Sequence, residues 1–231
     1  MLRLNVPYLR PADLDHAVRK LLHDYAAWKK TEVVPPIDVD DIVEGYLGLT
    51  FEVVDLKVRL GVQDALGATW LDEGCIRIDQ SLESQEGRFA FTVAHEIGHW
   101  QLHRPHYVTS KLTPPLFALE AGLTPTAAIV CRATERKVPA EWQADQFAAR
   151  LLMPAAAVRT AALAVCNGKL PVWDGLAANR KAGTLDRRLY ALAVEVLDVG
   201  NFANVSKEAM SYRLLDLHLV KDSAEATLEL F

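Results

Sequence analysis

Cysteine is scarce in this chain, with three in 231 residues, at Cys75, Cys131 and Cys166. The number is odd and no two stand in a Cys-x-x-Cys pair, which argues against a disulfide framework and against a thiolate-built zinc knuckle. A reducing compartment fits this usage, so the expected location is the cytoplasm. No run reaches the ~18 unbroken apolar residues of a membrane span, and no membrane partner is expected. The stretch Met1 to Pro7 has no long apolar region and no small-residue cleavage site, so it does not read as a signal peptide. Basic charge is not in excess: 25 Lys and Arg face 30 Asp and Glu, for a net charge of −5. That balance argues against wholesale nucleic-acid binding. Internal repeats and low-complexity tracts are also lacking.

What remains is a chain with enough apolar residues to bury a core, 51% against 24% charged, and with legible periodicity. Residues 12 to 30 read as an amphipathic helix, with Leu14, Ala17, Val18, Leu21, Leu22 and Tyr25 at spacings of three and four. The break at Glu32 to Pro36 precedes a helix over Val39 to Leu47, with Asp38 as N-cap and Gly48 as stop. Three strands are expected at Thr50 to Val54, Ala65 to Leu71 and Cys75 to Asp79, the last two joined by Asp72-Glu73-Gly74. A helix then runs from about Ser84 to His103. Residues 104 to 138 read as an enlarged, mostly irregular loop with a short helix near Leu116 to Ala121, acting as a lid or a plain insertion. Further helices are expected over Pro139 to Met153, Ala155 to Cys166, Leu185 to Leu197 and Ser206 to Leu217. From about Lys221 the chain lacks firm structure or adds a short strand.

Within the segment from about Ser84 to His103 stands His95-Glu96-Ile97-Gly98-His99. On a helix, positions four apart share a face, so both imidazoles can reach one metal ion. Glu96 stands where it could take a proton from a metal-bound water. Gly98 is disfavoured in mid-helix by about 1 kcal/mol relative to Ala, which makes sense if another backbone or the metal site crowds that turn. Catalytic zinc usually has three protein ligands and an open position. A third histidine six residues beyond His99 is ruled out by Pro105. Glu141, on a later helix, can serve instead, with Glu120 and Glu135 as rivals. Asp145, one turn beyond Glu141, can accept the free ring N–H of a ligand histidine. His103 continues the ladder but lies about 12 Å from His95 along the axis, too far to share the ion, and reads as an outer group. Cys131 could cap the metal as a thiolate. His106, Tyr107, Tyr46, Tyr190, Tyr212 and Arg213 are all candidates to stabilise a transition state, and spacing does not choose among them.

Phe91-Thr92-Val93-Ala94-His95-Glu96-Ile97-Gly98-His99, followed by Glu141-Trp142-Gln143-Ala144-Asp145-Gln146-Phe147-Ala148-Ala149-Arg150-Leu151-Leu152-Met153-Pro154, resembles the ImmA/IrrE family of metallopeptidases. The second stretch is similar to that family's E-x-x-A-[ND]-x-F-A-x-x-L-L-M-P signature. The resemblance covers roughly residues 36 to 155. It extends more weakly to Val205-Ser206-Lys207-Glu208-Ala209-Met210, similar to a helix-turn-helix-like segment that often follows the protease core. It implies an α+β zincin-like core, with a small, mostly antiparallel sheet packed on the motif helix and the Glu141 helix beside it. The implied organisation is an N-terminal helical extension (1–35), a metallopeptidase core (36–168, loop 104–138 enlarged) and a helical region (169–231), helix-turn-helix-like around 185–220.

The implied activity is that of a zinc-dependent intracellular endopeptidase binding one Zn²⁺, with Mn²⁺ as another candidate ion. Its expected partner is a protein substrate such as a helix-turn-helix repressor in stress or mobile-element control. The separation of His99 from Glu141 is longer than the resemblance implies, and no repressor domain is evident. The alternative function is a DNA- or protein-binding regulator, or a toxin–antitoxin component, with a structural or vestigial metal site. Direct DNA binding is not expected, because Arg187, Arg188 and Arg213 are too few for a basic face. An extended substrate could pair with an open edge among the strands of residues 66 to 79.

Overall fold

A computed structural model of the chain describes residues 6–112, 128–132, 138–182 and 184–223. These residues form an α+β fold with a small mixed sheet. They fall into two compact units, one from the described residues of 1–33 and 38–151, the other from 34–37 and 152–223. The expected boundaries at 35 and 168 differ from this division. The first helix packs with the site-bearing elements, and the helix after Pro154 belongs to the second unit.

In the first unit, α1 (Pro11–Lys29) buries Leu14, Val18, Leu21 and Tyr25, four positions of the expected stripe. Next, α2 (Val39–Asp41) widens into a π-helical turn over Ile42–Tyr46. The Asp38 side chain caps its start by accepting from the Asp41 N–H at 3.0 Å, and Gly48 ends the segment at φ +64°. Then come β1 (Thr50–Val54), α3 (Leu56–Leu60), β2 (Ala65–Trp70) and β3 (Cys75–Asp79). The helix α4 (Glu86–Gly98) continues through a π-helical turn (His99–His103) into α5 (Arg104–Leu112). Last are β4 (Ala128–Arg132) and α6 (Pro139–Leu152).

The sheet order is β1-β3-β2-β4, with β1 parallel to β3 and the other two pairings antiparallel. Two expectations are corrected here. The sequence of residues 104 to 138 predicts a mostly irregular stretch, yet its described residues contribute α5 and the edge strand β4. Proline-rich surroundings hid the run Ala128-Ile129-Val130-Cys131-Arg132, whose pairing with β2 comes from the sheet rather than from local pattern. The strands of residues 66 to 79 offer no open edge. β2 and β3 are both paired on two sides, and β1 and β4 flank them. The helix expected at Leu116 to Ala121 lies outside the described residues.

The alternation of β2 explains how the sheet serves the site. Ala65, Ala68 and Trp70 pack with Leu56 of α3 and Cys75, while Gly67 abuts Thr92 and Glu96 of α4. Thr69, two residues on, shares that second face. Cys131 of β4 pairs opposite Gly67, and residues directly opposite across an antiparallel pair share a face.

In the second unit, α7 (Ala155–Val165), β5 (Val172–Trp173), α8 (Leu176–Lys181), α9 (Arg187–Val199), α10 (Lys207–Asp216) and β6 (Lys221–Asp222) follow in order. β5 pairs parallel to β6. α9 packs on α7 and on α10, burying Leu189, Leu192, Ala193 and Val196 from its own face and Met210 and Leu214 from α10. Asp186 and Ser206 cap α9 and α10. Among the described residues no single helix is long and apolar enough to cross a membrane.

Candidate metal centre

Helix periodicity carries His95 and His99 to one face of α4, one turn apart. The same spacing on α6 carries Glu141 and Asp145. The two helices cross where Gly98 meets Ala144. A Cβ built on Gly98 would stand 3.1 Å from the Ala144 Cα and 3.3 Å from both the Ala144 carbonyl oxygen and the Phe147 Cβ. The glycine expected to relieve crowding does so against a neighbouring helix backbone. Gly98→Ala therefore sets a propensity gain of about 1 kcal/mol against an overpacking cost of about 1–3 kcal/mol. The expected result is net destabilisation of about 1 kcal/mol, a drop of roughly 2–4 °C in the melting temperature of the metal-free protein. A rise in melting temperature would show that the crossing has room to spare.

The crossing brings four expected residues together. His95 Nε2 and His99 Nε2 lie 3.0 Å apart. The Glu141 oxygens stand 3.2 Å from His95 Nε2 and 3.3 Å from His99 Nε2. The His95 Nδ1–H donates to Asp145 Oδ1 at 2.9 Å, which turns Nε2 toward the other ligand atoms. His95 and His99 are buried. Burial opposes ionisation of Glu141, but the His95 and His99 imidazoles beside it hold its carboxyl well below the usual carboxylate range. The rivals Glu120 and Glu135 lie outside the described residues.

The donor set fits a divalent ion. Ligand atoms about 2.0–2.1 Å from a tetrahedral zinc lie about 3.3–3.4 Å from one another, and the three separations here are 3.0, 3.2 and 3.3 Å. Cys131 is a further donor close to two of these ligands: ligand atoms of His95, Cys131 and Glu141 all lie within 4.8 Å of one another.

Glu96 is fully buried. Its Oε2 accepts from the Thr69 hydroxyl at 2.6 Å, and its Oε1 has no hydrogen-bond partner among the described residues. Gly67 leaves the space for it, since a Cβ there would lie 2.6 Å from Oε1. Burial pushes the Glu96 carboxyl up to about 8, against the opposing pull of His95 and Thr69.

His103 is fully buried beside the site. Its Nδ1 lies 2.8 Å from His99 Nδ1 and its Nε2 lies 3.0 Å from Gln143 Oε1. Burial, with His99 next to it, pushes its pKa down to about 3. Its alignment follows from the π-helical turn. Positions four apart drift by about 40° on an α-helix, and the wider i→i+5 turn counters that drift. Tyr107 does not serve as a free donor, because its hydroxyl donates to Asp72 at 2.6 Å. Tyr46 packs against Tyr25 and Trp28.

Thr69, Gly67 and Gln143 were not singled out from sequence. Thr69 and Gly67 give no signal, because β2 is buried along both faces. Gln143 does give one. Ala140, Ala144, Phe147, Ala148 and Leu151 form the buried stripe of α6, and Gln143 is a polar residue within it. No protein-family model matches the chain, and no curated protein matches it significantly.

Proposed function

We propose that the chain is a zinc-dependent peptidase with a zincin-like core, in which His95, His99 and Glu141 hold one metal ion and Glu96 carries the proton. The observation that supports this most directly is the triangle of His95 Nε2, His99 Nε2 and the Glu141 carboxylate, beside the buried Glu96 carboxyl on the histidines' helix, one oxygen of which has no partner among the described residues. The resemblance of residues 91–99 and 141–154 to the ImmA/IrrE metallopeptidases points the same way.

A zinc ion held there would supply Lewis acidity, polarising a scissile carbonyl and acidifying water in its open position. Glu96 Oε1 takes a proton from the attacking water and returns it to the leaving amine. Thr69 holds the other carboxylate oxygen, so the proton is gained and lost at Oε1. Asp145 fixes His95. Among the described residues β4 is an edge strand, and its Cys131 reaches the ligand group. An extended peptide added to β4 would run past the reacting atoms. The substrate class follows from the resemblance: a regulatory protein such as a helix-turn-helix repressor.

The test is incubation of the zinc-loaded chain with candidate repressors encoded beside its gene, with fragments identified by mass spectrometry. One defined cleavage is expected. A protein that takes up no zinc would sink this function.

One observation favours a second reading. With Cys131 as a fourth protein ligand the site is closed, as structural zinc sites are. Cobalt substitution separates the two. An open site gives no thiolate-to-cobalt charge-transfer band, and Cys131→Ser keeps wild-type turnover. A band lost in Cys131→Ser would favour the closed site. The DNA-binding alternative draws no support from two of its three arginines: Arg213 is buried and donates to the Met153 carbonyl, and Arg188 is bonded to Asp186.

A further inference from the structure

The side chains that hold His99 form a chain ending outside the site. His99 Nδ1 meets His103 Nδ1 at 2.8 Å, His103 Nε2 meets Gln143 Oε1 at 3.0 Å, and Gln143 Nε2 meets the Pro7 carbonyl at 2.7 Å. Pro7 precedes α1, whose Asp15 is bound to Arg150 of α6 at 2.9 Å. A carbonyl only accepts, so the Gln143 amide must turn its NH₂ to Pro7 and its oxygen to His103. That oxygen also only accepts, so His103 must carry its proton on Nε2. Both partners of His103 are uncharged, and a buried cation there would be costly. Its Nδ1 is therefore a lone pair. Two imidazole nitrogens at this distance share one proton, so His99 must carry it on Nδ1. His99 Nε2 is then bare and faces His95 Nε2 and Glu141.

Metal-binding histidines usually donate their outer N–H to a carboxylate, a backbone carbonyl or water. Here the acceptor is another imidazole, which can present either a donor or an acceptor. Something must choose. We propose that the Pro7 carbonyl chooses, acting through Gln143 and His103 to set the tautomer of His99 and aim its Nε2 at the metal. The inference rests on reading the centre as a metal site. Pro7, Gln143 and His103 are positioning residues, and the segment ahead of α1 is part of the metal centre.

The test uses the full chain with ¹⁵N-labelled histidine. Two-bond ¹H–¹⁵N correlations on the metal-free wild type report each tautomer without any substitution. His99 is expected as Nδ1–H and His103 as Nε2–H. The reverse assignment would overturn the proposal. Zinc affinity is then measured by chelator competition. His103→Leu and Gln143→Leu should leave His99 in mixed tautomers and weaken zinc binding about 10–100-fold. His103→Asn, which sets an amide oxygen near the place of Nδ1, should recover most of that loss. Retention of the Nδ1–H tautomer with zinc affinity within twofold of wild type in both leucine variants would also overturn it. A wild type that binds no zinc while showing the expected tautomers would instead remove the proposed function and leave the tautomer relay standing.

Discussion

Replacing Glu96 by Gln is expected to lower peptide hydrolysis about 10³–10⁴-fold, near the upper range of what a positioned proton carrier contributes, with one equivalent of zinc still bound. Gln keeps the shape and can still accept from Thr69 through its amide oxygen, so the fold has little to lose. It cannot take a proton from water. The surroundings of Glu96 favour this role over a structural one. Burial raises its carboxyl to about 8, near the neutral range in which a group both takes and gives protons. Among the described residues its Oε1 has no partner, while its Oε2 is bonded to Thr69. A structural carboxylate at 0% exposure would ordinarily have both oxygens satisfied. The measurement is single-turnover cleavage alongside metal analysis. Wild-type cleavage by Glu96→Gln would refute the hydrolytic mechanism.

Glu141→Ala is expected to weaken zinc binding by more than the roughly 10–100-fold that an outer partner such as Asp145 contributes. It removes the only carboxylate of the triangle and leaves two imidazoles 3.0 Å apart. Zinc at 100 times its dissociation constant should stabilise the wild type by about 2.7 kcal/mol, a rise of roughly 5–10 °C in melting temperature. That rise should vanish in Glu141→Ala and shrink in Asp145→Asn. Calorimetric melts with and without zinc order the three proteins. If Glu141→Ala retained zinc within tenfold of wild type, another donor, with Cys131 nearest to hand, would hold the third position.

The parts of the centre legible in sequence are those that one helix generates alone. His95 and His99 are four apart, as are Glu141 and Asp145, and that spacing sets a shared face without reference to the rest of the chain. The first three strands were legible for a similar reason: short strand-favouring runs lie between turn residues, with Gly74 at positive φ in the hairpin turn. β4 was not legible. Its five residues form an edge because β2 pairs with them, and no local period announces that. The π-helical turn at His99–His103 was equally hidden, since it keeps the apolar pattern of the α-helix it interrupts.

Sequence alone determined which side chains could act as ligands and which faces they share, because helical periodicity is a local property. The rest required contacts between residues distant in sequence, which spacing does not encode. The Gly98–Ala144 crossing brought Glu141 to the histidines. Gly67 and Thr69, on a strand buried along both faces, left one Glu96 oxygen open and held the other. Pro7, more than 130 residues from Gln143, entered the site because a carbonyl can only accept a hydrogen bond. The direction of that bond passes through Gln143 and His103 to His99.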